Sequence, residues 1–220
     1  MTFSRPPVSR VGMTTSGDQP SRSAVMLGFW AALATAATYI VFEVGFLLDP
    51  VMVSPWDVWI PIGASALVAP AFLLLTVSIH YSSPAEGRVW THSAMLFATI
   101  YAALAELVYF TWLFVVQPHV INGTQREVEL LIFQPGSLLQ MVDAAAYTAM
   151  GIAAMFTAAA FRGPKSRWPR WFAIANGPAA LLVLISYISN QLVFGIPAAF
   201  LVPAYAISAA RWFQRSSRTT

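Results

Sequence analysis

Residues 92–116, HSAMLFATIYAALAELVYFTWLFVV, form a long apolar run with a single carboxylic acid, Glu106, close to its middle. A run of this length crosses a bilayer as a helix, because an apolar core of roughly 30 Å takes about 20 helical residues. An ionisable group placed near the middle of that core costs roughly 2.5 kcal/mol or more, so it persists where it faces protein or water rather than lipid. The rest of the chain reads as packing around this position.

The chain has 220 residues, of which 58% are hydrophobic and only 10% charged, too little polar surface to enclose a water-soluble core of this size. It reads as a polytopic integral membrane protein, all-α, with no soluble domain of ordinary size between the apolar runs. The expected organisation is a disordered cytoplasmic tail over 1–23, rich in Ser, Thr, Pro and Arg, a transmembrane domain over 24–211, and a short basic tail over 212–220. Spans are expected at about 24–48, 57–80, 92–116, 137–161, 170–189 and 191–211. The first is too long for the apolar region of a cleaved leader and is kept as a span. No sequence echo joins residues 24–116 to 137–211, so no internal duplication is claimed.

Six spans place both termini on one side, and short cytoplasmic loops collect Lys and Arg. Arg5, Arg10, Arg22, Arg88, Arg162, Lys165, Arg167, Arg170, Arg211, Arg215 and Arg218 fall on the side of the termini; of the twelve basic residues only Arg126 falls opposite, in a loop that also holds Glu127 and Glu129. Both termini are therefore expected in the cytoplasm, and the net charge of +3 sets orientation in a membrane rather than marking nucleic-acid binding. The general plan, Ala-rich spans with basic tails, resembles many bacterial inner-membrane proteins, a likeness that carries no residue across.

The loop 117–136 is the longest connection, and Thr124 three residues before Glu127 is the pattern of a helix-capping box. A short outer surface helix is expected over about 125–133, ended by Pro135-Gly136. Trp56, Trp59, Trp90, Trp112, Trp168, Trp171 and Trp212 fall near span ends, where amphipathic rings settle at head-group level. Small residues crowd the first and fourth spans (AALATAA at 31–37, DAAAYTAMGIAA at 143–154), which places these two inside the bundle.

The depth of each membrane acid follows from helical rise. With span centres near 36, 104 and 149, about 1.5 Å per residue puts Glu43 roughly 10 Å, Glu106 roughly 3 Å and Asp143 roughly 9 Å outward of the midplane. All three lie in the outer half, and each has a tyrosine at same-face spacing: Tyr39 before Glu43, Tyr109 after Glu106, Tyr147 after Asp143. Gln140 adds a polar group one turn before Asp143. The expected site is an outward-facing, carboxylate-lined cavity that handles protons or a cationic or polar solute, since neighbouring buried carboxylates do not all stay ionised cheaply and can exchange protons.

Prolines interrupt the second span (Pro61, Pro70), the fifth (Pro178, within Asn176-Gly177-Pro178) and the sixth (Pro197, Pro203), and broken helices with exposed carbonyls are a transporter device. His80 and His92 sit at the cytoplasmic ends of their spans while His119 is outside, so the three do not converge on one metal. With no cysteine and no His-Glu-x-x-His, Gly-x-Ser-x-Gly or phosphate-cradling loop, no enzyme motif, metal or cofactor is expected. The basic cluster Arg162, Lys165, Arg167 and Arg170 is read chiefly as an orientation signal, with contact to anionic lipid heads as the other reading. The leading reading is a small transporter or channel-like protein. Two others stay open: a non-transporting assembly or sensory subunit with its acids paired in a sealed interior, and a lipid-modifying enzyme opening near His80 and His92.

Overall fold

A computed structural model describes residues 21–48 and 51–216. It contains helices α1 (Arg22–Leu48), α2 (Trp56–Tyr81), α3 (Arg88–Thr111), a short α4 (Gln117–Ile121), α5 (Leu138–Thr157), α6 (Arg167–Ser189) and α7 (Ile196–Ser216), and no strand among the described residues. Six helices are long and apolar enough to cross a membrane. The all-α membrane bundle read from the hydropathy pattern is the observed fold. The amino-terminal tail lies outside the described residues up to position 20. Helix α7 carries the chain through Ser216, so 212–216 continue the last helix and 217–220 lie outside the described residues.

The six long helices form a closed ring in which each packs on its sequence neighbours and α7 returns to α1, with α2 and α5 also touching across the middle. The start of α1, the end of α7, the 82–87 connection and the 158–166 connection share one end, here the basic end; the 112–137 and 190–195 connections lie at the far end. At the basic end Arg162 Nη1 meets Glu86 Oε2 at 3.2 Å, tying two connections together.

Helices α2 and α5 are the inner pair, each with 61% of its apolar window buried against 39% for α1. This corrects the expectation for the first span. Its small residues Ala31, Ala32, Thr35 and Ala36 do form a buried seam, but Met26, Leu27, Trp30, Ile40 and Leu47 are exposed on the other face. A small-residue run reports close approach on one side of a helix and says nothing about the opposite side. Helix α5 is small on most sides, with Ala146, Ala149, Ala153 and Ala154 buried. Gly151 lets it lie against α6: an added Cβ there would fall 2.5 Å from Ala180 Cβ and 2.7 Å from the Asn176 carbonyl oxygen.

Helices α2, α6 and α7 run on through their interior prolines, whereas Pro197 sits in the first turn of α7, which follows a separate 3₁₀ turn at Leu192–Phe194. Pro61 and Pro70 lie within α2, Pro178 within α6 and Pro203 within α7. Asn176, beside Pro178, donates to the Phe172 carbonyl at 2.7 Å and lies 3.5 Å from the Leu201 carbonyl of α7, so its amide serves helix contact. The far end of α3 widens into a π turn at Trp112–Val116 before α4. The whole unit spans 37 residues from Ala85 to Ile121. That is roughly 55 Å of helix, longer than an apolar core of about 30 Å, so part of it projects beyond the membrane.

The short surface helix is present at Gln125–Leu131, but as a 3₁₀ segment broken at Val128 (φ −122°, ψ 21°). The expected capping box there does not form: Thr124 makes no side-chain cap, and Glu127 approaches His119 Nε2 at 3.9 Å instead. Reciprocal capping occurs at α5, where the Ser137 hydroxyl accepts from the Gln140 N–H at 3.2 Å and Gln140 Oε1 accepts from the Gly136 N–H at 2.6 Å.

Candidate functional site

Asp143 is 3% exposed, on the second turn of α5. A buried carboxylate must have its acceptor capacity filled or it costs several kcal/mol. Tyrosines from two flanking helices fill it. The Tyr109 hydroxyl, from the last turn of α3, donates to Oδ1 at 2.9 Å, and the Tyr187 hydroxyl, from the last turn of α6, donates to Oδ2. Tyr109 is also 2.8 Å from the Tyr147 hydroxyl on α5, which is 3.1 Å from Ser65 Oγ on α2.

Proton counting sets the direction of this chain. An ionised carboxylate only accepts, and each hydroxyl has one proton to give. With Tyr109 donating to Asp143, the Tyr147 proton points to Tyr109 and the Ser65 proton points to Tyr147. Four groups on three helices are thus aligned in one sense, and such chains strengthen by mutual polarisation. Phe42 of α1 stacks on Tyr147 with ring centroids 6.3 Å apart and an interplanar angle of 21°, closing the cluster on that side.

The residues singled out in the sequence fall into two groups. Asp143, Tyr109 and Tyr147 come together. Their pairing differs from the same-helix expectation, because Tyr109 serves Asp143 across helices rather than Glu106, and Tyr147 bonds Tyr109 and Ser65 rather than Asp143. Gln140 lies on the face of Asp143 but is spent on the α5 cap and on a 3.1 Å bond from Nε2 to Asn190 Oδ1 at the end of α6. Glu43 is half-buried on α1, paired with Tyr39 one turn before it. Glu106 is half-buried on α3, and its Oε2, though shielded, has no hydrogen-bond partner among the described residues. The hydroxyl of fully buried Tyr101 is likewise unpartnered, and Tyr101 lies close enough to both Asp143 and Glu106 to interact electrostatically with each.

Tyr187 and Ser65 were not singled out from the sequence. The signal for Tyr187 was depth: the fifth span runs toward the far end, so a tyrosine two residues before its close sits level with an acid near the start of the fourth. Ser65 carried no signal beyond being a small polar residue in an apolar helix.

A cavity of about 10 Å³ adjoins Tyr147, lined also by Tyr39, Met150, Gly151 and Asn176 among others. It has room for about one water. Neither Glu106, Glu43 nor Asp143 lines it. At the basic end, His80 Nδ1 is 3.0 Å from Thr91 Oγ1 and the His80 ring meets His92 at 5.7 Å. Among the described residues no group of three His, Cys, Asp or Glu side chains is arranged to hold a metal.

Fold and site together define a multi-pass α-helical membrane protein with a buried aspartate-tyrosine cluster among α2, α3, α5 and α6. No protein family, curated protein or solved structure matches the chain.

Proposed function

We propose that this protein is a small transporter or channel-like protein of the plasma membrane that passes protons through the Asp143 cluster, with both termini in the cytoplasm and the cluster toward the outside. The observation that carries this reading is the continuous hydrogen-bonded chain Ser65–Tyr147–Tyr109–Asp143 in a membrane interior. Ionisable residues at that depth are costly and mark proton relays and ion pathways. A proton taken up by Asp143 passes on once the hydroxyls have turned away from it: Asp143 gives it to Tyr109, Tyr109 gives its own to Tyr147 and Tyr147 to Ser65, each oxygen gaining one proton and giving one, and the last leaves from Ser65. Glu106 and Tyr101, whose hydrogen-bonding capacity is unfilled, are the receptive flank through which a proton or a water reaches Asp143. Size favours a proton over a larger solute, since the adjoining space admits about one water.

The test is purified protein in liposomes loaded with a pH-sensitive dye under an imposed potassium diffusion potential. Wild-type vesicles acidify or alkalinise faster than empty ones, and Asp143→Asn and Glu106→Gln vesicles do not, with circular dichroism verifying that both variants are folded. Wild-type vesicles indistinguishable from empty ones overturn the reading. That same tightness supports a second reading, a non-transporting assembly or sensory subunit in which the cluster is a polar clamp that sets helix register. In that case Asp143→Asn loses stability, Glu106→Gln does not, and no flux exists to be lost. The lipid-modifying reading draws no support from the basic end, where His80 is engaged by Thr91.

A further inference from the structure

Asp143 is the last acidic residue in the chain: from 144 to 220 there is no Asp or Glu, while Arg162, Lys165, Arg167, Arg170, Arg211, Arg215 and Arg218 all lie in that stretch. Arg162 is paired with Glu86. Of the others, Arg167 and Arg170 lie at the start of α6 and Arg211 and Arg215 near the end of α7. Between these helices opens a groove of about 400 Å³, within the range of small-molecule sites. Its walls are Trp168 and Phe172 of α6 and Ile207 and Trp212 of α7, and Arg211 and Arg215 stand one turn apart on α7. Among the described residues no carboxylate lines it. Arg211 is exposed, Trp168 is 67% exposed, and Ile207 is 38% exposed on the same side as the groove.

We propose that this groove holds one anionic phospholipid, with its phosphate on Arg211 and an acyl chain running along Phe172 and Ile207. Charge complementarity selects the head group, because the described lining of the groove carries Arg211 and Arg215 and no acid. Arginine adds planar, forked donors that match phosphate oxygens. Arg215 keeps a partner of its own and contributes its charge from one turn away. The apolar walls select a lipid over a free anion: Phe172, Ile207 and the two tryptophans extend toward the membrane, where a water-soluble phosphate gains nothing. Trp168 and Trp212 flank the opening at the level where indoles meet head groups. The volume accommodates a head group and the upper part of one chain.

Native mass spectrometry of the full chain, released from detergent after titration with phosphatidylglycerol or phosphatidylcholine, tests the assignment. Both lipids offer a phosphate and only phosphatidylglycerol is net anionic, so wild type retains phosphatidylglycerol about fivefold better than phosphatidylcholine, as ~1 kcal/mol for one arginine beside a head group with no choline charge to offset it implies. Arg211→Gln removes the preference, Ile207→Trp, which fills the groove, removes retention of both lipids, and Arg167→Gln leaves the preference intact. Equal retention of the two lipids, or equal loss in Arg167→Gln and Arg211→Gln, overturns the site in favour of diffuse surface charge. Displacement of the lipid by millimolar inorganic phosphate overturns it in favour of a simple anion site. Circular dichroism verifies that each variant keeps its helices.

Discussion

At the far end of the bundle, buried hydroxyls reach across helices: Ser65, Tyr147, Tyr109, Asp143 and Tyr187 join α2, α3, α5 and α6 in one network. Toward the basic end most of them fold back onto their own helix. Thr76 donates to the Phe72 carbonyl at 2.9 Å, Ser78 to Leu74 at 2.8 Å, Ser83 to Ile79 at 2.7 Å and Ser208 to Tyr205 at 2.8 Å. Among the cross-helix pairs there are Thr157 with Tyr205 at 2.8 Å and His80 with Thr91 at 3.0 Å. A hydroxyl bonded to its own backbone is satisfied at any helix register, whereas one bonded across the bundle holds only at one. Register is therefore set by polar contacts at the far end and by packing of Phe72, Phe161, Tyr205 and Phe213 at the basic end.

Substitutions can break that contrast. The largest expected effect is Asp143→Ala, which strands two buried phenol donors and removes the terminus of the chain; a loss of about 3 kcal/mol should appear in SDS-titration unfolding followed by tryptophan fluorescence. Gly151→Ala comes next, because its Cβ would press on the Asn176 backbone and not on a flexible side-chain tip. About 2 kcal/mol is expected, seen as a lowered melting temperature by circular dichroism. Tyr187→Phe removes one cross-helix bond and should cost about 1 kcal/mol in the SDS titration.

Tyr205→Phe sharpens the comparison from the other end. Thr157 also donates to the Ala154 carbonyl at 2.6 Å and keeps a partner when the phenol is gone. The expected cost is about 0.5 kcal/mol, and a cost equal to that of Tyr187→Phe would erase the distinction between the two ends. The smallest stability effect belongs to Glu106→Gln, within about 0.5 kcal/mol of wild type by melting, because no partner is lost. Loss of proton flux in a variant of unchanged stability would separate the receptive flank from the clamp.

Much of the architecture could be read from residues alone. Apolar runs long enough to span a bilayer locate the six helices to within a few residues, because each must satisfy its own backbone in lipid. Boundaries slipped where a helix continues past the apolar run, as α3 does through its π turn into α4 and α7 does to Ser216. The capping rule was sound and was applied at Thr124, although Ser137-Leu-Leu-Gln140 carries the same pattern and is where it operates. Proline positions read as breaks, yet each helix absorbs its prolines, since packing against neighbours holds the geometry that local propensity disfavours.

The site was legible only in outline. Asp143, Tyr109 and Tyr147 were visible as polar residues at matching depth, but same-helix spacing, which holds for Tyr39 with Glu43, misses the partners of Asp143, whose phenols come from the two flanking helices. The sequence by itself determined that the chain lives in a membrane, how often it crosses, and which residues cannot face lipid, since those follow from transfer cost and helical rise. Only tertiary structure decided that α2 and not α1 shares the middle with α5, that Tyr187 completes the Asp143 cluster, and that Glu106 keeps an oxygen unclaimed. Those depend on how each helix is rotated about its axis, and in lipid, where apolar burial gives no preference between faces, rotation is set by contacts among residues far apart in the chain.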